Sequence, residues 1–266
     1  MLDVLALFAQ SYITAIMTTG LACVLAYLLF WKALSQRLVH WRIQLNRRAD
    51  SKQIKRELKN SLFVFAVSAC FSVFVISLGS LGLTNIYFNL NDYPIWVGLL
   101  GFPLLLIIDD TWFYWVHRAL HHPKIYRHVH HEHHRSLDVN PITSISFHWI
   151  EPLLLTAWVL PAAMFLPLWA PALLLLQLYG LLDNIKSHLG YEIFPAWWNK
   201  SPLGLLTSST YHNLHHTKFK GNYGVHFRFW DRLMGTELKV YDEVFDEIQS
   251  RKAAGGMTQA KKDQIT

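Results

Sequence analysis

Long apolar runs constrain the fold of this chain more than any other feature. Residues 5–31 and residues 61–83 are each long enough to cross a bilayer, and a third apolar run begins at Pro94 and continues to Ile108. Inside lipid the backbone must satisfy its own hydrogen bonds, so runs of this length favour helices. Only 16% of all residues are charged, well below the ~25% of ordinary soluble domains. The sequence therefore predicts an all-α, integral membrane helical bundle.

The loops between these runs differ sharply in charge. Residues 32–60 contain nine Lys or Arg, whereas residues 84–93 contain none. The positive-inside rule then predicts that residues 32–60 face the cytoplasm. In that segment Leu38, Trp41 and Leu45 recur at helical spacing, which predicts a helix that is either solvated or laid on the membrane surface. The net charge of +6 fits an anionic membrane surface better than nucleic acid, so no nucleic-acid partner is expected.

A fourth apolar stretch, residues 149–182, is interrupted by four prolines. Because proline breaks helices, this stretch predicts a hairpin that enters the membrane and returns. The apolar runs together predict about four to five membrane-embedded helical segments. Every histidine cluster is then expected on the cytoplasmic side. We expect three parts: transmembrane helices and a basic linker (1–93), a catalytic domain (94–241) and a polar tail (242–266), which is disordered from Ala253.

Histidines are concentrated in groups with repeated spacing. Residues 126–140 read YRHVHHEHHRSLDVN, in which an HxxHH pattern is followed by a second copy in YHNLHHTKF and preceded by HRALHH. On a helix, residues three and four apart share a face, so each group can aim imidazoles at one point. Three groups exceed the needs of one four-coordinate metal, which favours two metals. Imidazole alone leaves zinc, copper and iron open.

Four motifs resemble the fatty acid hydroxylase superfamily, in its sterol desaturase branch: DDTWFYWVHRALHH, HVHHEHH, SHLGYEIFP and YHNLHHTKFKGNYGVHFRFWDRLMGT. The resemblance covers residues 109–236. It implies a membrane-bound di-iron oxygenase that uses O₂ to hydroxylate or desaturate a lipid C–H bond. The implied cofactor is two Fe ions, for which zinc can substitute in purified protein. The metal ligands carried over from the family pattern are His117, His121, His130, His133, His134, His188, His212, His215 and His216.

Four further residues are candidates for ligation or for support of a ligand. Asn184 stands where some relatives carry a histidine, and it would ligate directly or through water. His148, in FHWIEP, matches a recurring family histidine. Asp110 precedes His117 by two helical turns and would either orient that imidazole or cap a polar patch. Glu151, three residues after His148, could play the same part there.

Two other classes of membrane protein compete with the oxygenase. A zinc-dependent hydrolase would be marked by HExxH, but His131 and Glu132 are followed by Arg135 where the second histidine should stand. A metal transporter would place its ligands inside the spans near the midplane, whereas these clusters lie outside the apolar runs. Metal analysis together with a visible spectrum separates the three classes.

An oxygenase of this kind needs electrons that the chain cannot collect. The sequence has no GxGxxG motif for a nicotinamide or flavin. Its two cysteines, Cys23 and Cys70, lie inside apolar runs, where we expect small buried hydrophobic side chains rather than a disulfide or an iron–sulfur ligand set. The electron donor is therefore expected to be a separate ferredoxin or cytochrome-type carrier with its reductase. Its docking surface would include the basic residues Lys124, Arg127, Lys218 and Lys220.

Overall fold

Three long helices dominate the computed structural model, which describes residues 3–263 and the side chains of residues 3–255. The first helix is continuous over Val4–Ala33 and contains α1 (Val4–Ala15) and α2 (Leu21–Tyr27), with π-helical turns at Ile16–Gly20 and Leu28–Ala33. The second is α3 (Ser51–Ser80) and the third is α4 (Ile95–Leu120). Within residues 3–263, these three are the helices that are long and apolar enough to cross a membrane.

The remaining helices are α5 (Pro123–Tyr126), α6 (His131–His134), α7 (Ile150–Thr156), α8 (Val159–Phe165), α9 (Ala170–Ser187), α10 (Ser209–Lys218), α11 (Phe229–Leu233) and α12 (Tyr241–Asp263). Short 3₁₀ turns lie at Val39–Trp41, Leu90–Asp92, Thr143–Ile145, Trp198–Lys200 and Pro202–Leu205. Two short strands, β1 (Ile86–Tyr87) and β2 (Leu168–Trp169), pair in parallel. Apart from this pair the fold is helical, and the predicted all-α membrane bundle is confirmed.

The proline-interrupted stretch forms two arms, as predicted. α7 and α8 make the first arm, Leu166 is extended, and α9 returns after β2. β2 pairs with β1 at the turn. The arms pack on α4 through a buried apolar cluster that includes Leu105, Trp158, Ala163 and Ala172. This packing holds the end of α9 beside the end of α4.

The ends of the long helices meet on one side of the bundle. Near the end of the first helix, the Trp31 indole N–H donates to the Leu189 carbonyl at 2.8 Å. Near the start of α3, the buried Glu57 carboxylate accepts from the Ser136 hydroxyl at 2.6 Å and from the Asn140 amide at 2.9 Å. These contacts tie the histidine-bearing loops to the N-terminal helices.

The helix predicted through Leu38, Trp41 and Leu45 of the basic segment does not form beyond one short turn. Apart from the 3₁₀ turn Val39–Trp41, the described chain between the first helix and α3 is turn and irregular structure. Tertiary partners override the local spacing there. Arg42 forms an antiparallel bridge with Tyr191 and an ion pair with Asp138 at 3.3 Å, and the Trp41 carbonyl accepts from the Glu192 amide at 2.9 Å. These contacts hold the segment in an irregular, non-helical conformation.

Two further predictions need correction. The chain is not disordered from Ala253, because α12 continues to Asp263; residues 264–266 lie outside the described residues. Tyr241, Phe245 and Ile248 are buried at helical spacing and anchor that helix. Cys23 is buried as expected, but Cys70 faces outward from α3. The division at residues 93/94 and 241/242 stays a prediction.

Candidate metal centre

The histidines are presented by the ends of four elements. His117 lies in the last turn of α4, and His121 caps that helix. His188 caps α9 in the same way. The two HxxHH patterns lie on or just before α6 and on α10, whose first turn is capped by the Ser208 hydroxyl. Because these helix ends meet, side chains that are far apart in sequence come together.

In the described part of the chain, all nine predicted ligand histidines fall into two groups, in each of which the ligand nitrogens lie within 4.8 Å of one another. The five-histidine group contains His117, His121, His130, His134 and His215. The four-histidine group contains His133, His188, His212 and His216. Each HxxHH pattern therefore serves both groups. Its first and last histidines, one helical turn apart, enter one group, and its middle histidine enters the other.

The ring nitrogens that face inward are the Nε2 atoms. In the five-histidine group, His130 Nε2 lies 3.1 Å from His117 Nε2 and 3.0 Å from His134 Nε2. In the four-histidine group, His212 Nε2 lies 3.0 Å from His188 Nε2 and 3.1 Å from His216 Nε2. Each group thus concentrates its Nε2 atoms around a common point.

The outward Nδ1 atoms determine which nitrogen carries the proton. Five of them lie 2.8–3.1 Å from a backbone carbonyl: His117 with Tyr223, His133 with Ser146, His188 with Asn184, His215 with Gly221 and His216 with Ser136. A carbonyl oxygen only accepts, so each Nδ1 donates and each neutral ring keeps its lone pair on Nε2. Lone pairs that converge at these distances repel one another unless a cation lies between them. The donor set therefore fits divalent metal ions that bind imidazole.

Burial keeps these imidazoles neutral. It lowers the pKa of His188 to about 4 and that of His121 to about 2, where the neighbouring His117 adds to the effect. Burial also moves the pKa of His130, His134 and the other clustered histidines of the loops and α10 well below the usual range. Neutral imidazole is the form that binds a metal, so the site is prepared for ligation at physiological pH.

Glu151 supports a different histidine from the one expected. Its Oε1 lies 2.7 Å from His130 Nδ1, with both side chains buried. His148 is half-buried, its ring packs on Trp149, and it lies outside both groups of the described chain. The contact between Glu151 and His148 is made by the main chain, where the Glu151 N–H donates to the His148 carbonyl at 3.0 Å. The expected Glu151–His148 partnership is therefore replaced by a Glu151–His130 partnership.

Asp110 and Asn184 make contacts that the sequence left open. The Asp110 carboxylate accepts from the backbone N–H groups of His226 and Phe227, each at 3.0 Å, so it holds the backbone and does not orient His117. The Asn184 amide donates to the Ser144 carbonyl at 2.8 Å. Its backbone carbonyl is the group that accepts from His188. Asn184 thus orients a histidine through its main chain.

Sequence reasoning missed two buried acids that organise the site. Glu57 accepts from the side chains of Ser136, Asn140 and Thr143, and the Ser136 carbonyl in turn accepts from His216. Asp183 pairs with Lys186 and with His226. The sequence did contain a signal for both residues, because each is an acid at the edge of an apolar run. Burying a carboxylate there is costly unless it is paired.

A cavity of about 220 Å³ lies against both histidine groups. Histidines from both groups line one part of it, and Phe113, Phe147, Leu155 and Val225 give it apolar walls. A larger groove of about 620 Å³ runs between the first helix, α3 and α9. The groove and the cavity share Phe147, Thr156, Gly180 and Asn184 in their linings. The site is therefore adjacent to the part of the bundle that would face lipid.

Proteins similar to this chain in sequence include sterol desaturases and methylsterol monooxygenases. The Δ7-sterol 5(6)-desaturase of Leptosphaeria maculans is 31% identical over 88% of this chain and 64% of its own length. The methylsterol monooxygenase 1 of Danio rerio is 36% identical over 49% of this chain and 44% of its own length, and that of Rattus norvegicus is 33% identical over 59% and 53%. The chain thus spans about half to two thirds of the length of these relatives. No solved structure matches it.

The family model described as fatty acid hydroxylase matches residues 102–236. That range is just over half of the chain, and it contains all nine clustered histidines together with Glu151. The chain belongs to the fatty acid hydroxylase family.

Proposed function

We propose that this protein is a membrane oxygenase that uses O₂ to oxidise a C–H bond of a sterol-class lipid. The observation that carries the proposal is the pair of histidine groups, with converging Nε2 atoms, in the wall of a largely apolar cavity. The nine histidines would hold two metal ions, which we take to be iron from the family of the chain. When bound, these ions supply the redox chemistry by which O₂ attacks an unactivated C–H bond.

The protein's own groups would position the reaction and keep it dry. Backbone carbonyls fix five of the rings in the tautomer that leaves Nε2 free, and Glu151 would do the same for His130 with a carboxyl oxygen. Phe113, Phe147 and Leu155 would hold the lipid carbon against the histidine wall and exclude water. Positioning of this kind is the main contribution of a protein to cofactor chemistry.

The groove is the proposed route for the lipid. It opens on the first helix and α3, whose outer faces carry many exposed apolar side chains, and Gly180 lies where it meets the cavity. A Cβ added at Gly180 would meet no atom within 4 Å. Gly180→Leu should therefore fold well, with about 1 kcal/mol gained in helix propensity, while its side chain fills the junction.

We expect Gly180→Leu to reduce the turnover of a sterol substrate at least tenfold, with no change in metal content or thermal unfolding temperature. Leu178→Phe, a bulky change on the lipid-facing side of α9, is the matched control and should retain turnover. Full activity of Gly180→Leu would exclude this route.

The membrane orientation is part of the proposal: the basic segment 32–60 and both histidine groups would face the cytoplasm. Support comes from the charge difference between residues 32–60 and residues 84–93. In a Cys70→Ser background, a membrane-impermeant thiol reagent added from outside should label Asn89→Cys and should not label Lys124→Cys. The reverse labelling pattern would contradict this orientation.

The electron donor is proposed to be an acidic ferredoxin or cytochrome-type carrier that docks beside the five-histidine group. Lys124, Arg127, Lys218 and Lys220 are all exposed, and Lys220 lines a surface depression together with His121. Binding should weaken as ionic strength rises, because exposed charge pairs are screened by salt. Lys218→Glu combined with Lys220→Glu should reduce carrier affinity more than tenfold. Lys52→Glu, on a separate basic surface, should not.

Reconstitution tests the proposed function as a whole. Iron-loaded protein in lipid discs should oxidise a sterol only when O₂, the carrier and its reductase are present, with the product identified by mass spectrometry. His212→Ala should abolish the product and lower the metal content, whereas the exposed His40→Ala should do neither. If the protein instead hydrolyses a lipid in a metal-dependent reaction, or transports metal, without consuming O₂, the oxygenase hypothesis is wrong and the hydrolase or transporter hypothesis is correct.

A further inference from the structure

Outside the metal centre, a basic depression of about 740 Å³ lies at the start of α3. The residues that line it come from three segments: the basic segment 32–60 before α3, the first turns of α3, and the loop that begins at the end of α6. Asp50 and Asp138 are its acidic members. Five of the ten lining residues are cations, namely Arg47, Arg48, Lys52, Arg56 and Arg135.

Both acidic members of the basic depression already have partners. Asp138 is 4% exposed, forms an ion pair with Arg42 at 3.3 Å and accepts from the Ala49 N–H at 3.1 Å. The Asp50 carboxylate accepts from the Gln53 N–H at 2.7 Å and caps the first turn of α3. Among the described side chains, neither carboxylate forms an ion pair with a cation that lines the depression.

The five cations outnumber the carboxylates that pair with them. Arg56 and Arg135 share one carboxylate, that of Glu132, at 3.4 Å and 2.8 Å. The buried Nε of Arg56 has no hydrogen-bond acceptor among the described residues. Three exposed cations form no ion pair with any side chain of residues 3–255: Arg47, Arg48 and Lys52. Like charges gathered in this way repel one another unless an anion lies between them.

The basic depression lies at the depth of the lipid headgroups. The exposed apolar surface of α3 begins at Leu58. Because a helix rises 1.5 Å per residue, Arg56 precedes that surface by about 3 Å and Lys52 precedes it by about 9 Å. The polar layer of a bilayer is about 5–8 Å thick on each side. Arg56 is therefore within this layer, and Lys52 is at its outer edge.

Two features identify the anion as the phosphate of a lipid. Four of the five cations are arginines, whose planar guanidinium groups match phosphate oxygens in bidentate contacts. The second feature is that one face of α3 connects the depression with the apolar surface. Phe63, which is 58% exposed, lies two turns beyond Arg56 on this face. The face carries, at three- and four-residue spacing, Lys52, Arg56, Lys59 and Phe63.

We propose that the basic depression binds the phosphate of an anionic phospholipid, whose acyl chain lies along α3 past Phe63. The lipid would offset the repulsion among the three segments and hold them together. Arg56 Nη2 donates to the Ser136 hydroxyl at 2.9 Å, and the Ser136 carbonyl accepts from His216, so two contacts connect this site with the four-histidine group. The orientation proposed above would place the depression in the cytoplasmic leaflet, where anionic lipids are concentrated.

The first experiment measures which lipid the protein retains. Metal-loaded protein in mixed micelles with equal amounts of phosphatidylglycerol and phosphatidylcholine is analysed by native mass spectrometry. We expect phosphatidylglycerol to be preferred about tenfold or more. A triple variant with Arg47→Gln, Arg48→Gln and Lys52→Gln should lose this preference. The matched control should retain it, because it removes three exposed cations outside the depression: Arg37→Gln, Lys55→Gln and Lys239→Gln.

The second experiment measures thermal stability in lipid discs. Phosphatidylglycerol should raise the melting temperature of the unaltered protein by about 3 °C or more relative to neutral discs, and it should not raise that of the triple variant. In neutral discs the triple variant should melt no lower than the unaltered protein, because it lacks the repulsion among the cations. A lower melting temperature there would mean that the three side chains have a purely structural role.

Three further outcomes would overturn the lipid site. They are equal retention of both lipids by the unaltered protein, loss of the preference in the matched control, and equal protection by millimolar inorganic phosphate in neutral discs. If the triple variant instead loses affinity for the electron carrier and keeps its lipid preference, the depression binds an acidic protein. Lipid retention requires neither O₂ nor turnover, so its failure would leave the proposed oxygenase function standing.

Discussion

Replacement of Glu151 by glutamine should weaken one of the two metal sites and spare the other. Glu151 Oε1 is the acceptor for His130 Nδ1 at 2.7 Å, and both side chains are about 1% exposed. Glutamine has the same shape and retains a carbonyl oxygen, but it cannot ionise. With cations bound by the histidines, the carboxylate form of Glu151 would make the His130 imidazole a better ligand. Because His130 belongs to the five-histidine group, the effect should be confined to the metal ion that this group holds.

The expected magnitude follows from comparable contacts. Loss of the partner of a metal-ligating histidine typically reduces metal affinity about 10- to 100-fold, which is about 1.4–2.8 kcal/mol. Solvent does not attenuate this contact, because both side chains are buried. Glu151→Ala should have a larger effect than Glu151→Gln, since it also leaves the His130 Nδ1–H without an acceptor in a buried site.

The assay is a metal titration of the purified protein in detergent, after a chelator has removed bound metal. Cobalt(II) reports occupancy by its visible spectrum, and a competing chelator gives the two affinities. Unaltered protein should bind two ions, and Glu151→Gln should retain one affinity and lose about 10- to 100-fold in the other. The matched control is Glu132→Gln, because Glu132 adjoins His133 in sequence but pairs with Arg56 and Arg135 at the surface. Equal weakening of both ions, or no change in either, would refute the reasoning.

Three other outcomes follow from the same contacts. Glu57→Ala should reduce the free energy of unfolding by about 3 kcal/mol or more, because it leaves several buried donors without an acceptor; a thermal melt measures this, and Glu247→Ala, at an exposed position, is the control. Burial alone would lower the pKa of His226, but hydrogen bonds to Asp109 and Asp183 raise the folded pKa to about 9, above the unfolded value of about 6.5. Protonated His226 therefore stabilises the folded protein fully below pH 6.5, and this stabilisation is lost as the pH rises through 9. That amounts to about 3 kcal/mol, and melts of His226→Gln should lack this dependence. Removal of metal should lower the melting temperature, because a ligand at 1,000 times its Kd adds about 4 kcal/mol to the free energy of unfolding. An unchanged melting temperature in metal-free protein would contradict the presence of a cation between the Nε2 atoms.

The sequence was sufficient wherever the determining interactions are local. Apolar runs longer than a bilayer is thick become helices whatever surrounds them, which is why the three long helices were predictable. Eight of the nine histidines were recognisable from their three- and four-residue spacing, and His188 from the family motif SHLGYEIFP. The basic linker, by contrast, has helical spacing but is held open by Arg42, which bridges to Tyr191 and pairs with Asp138. There the contacts that decide the conformation come from distant residues.

Only the tertiary structure decided how the histidines are divided. His133 and His134 are neighbours in sequence, yet they enter different groups, because adjacent residues on a helix point about 100° apart and the second HxxHH pattern faces the first across the site. The same holds for the supporting acids. Glu151 lies three residues from His148 but supports His130, and His226 meets Asp109 and Asp183 across more than 40 residues of sequence. Spacing along a chain specifies a face, whereas the partner of that face is specified by how the helices pack.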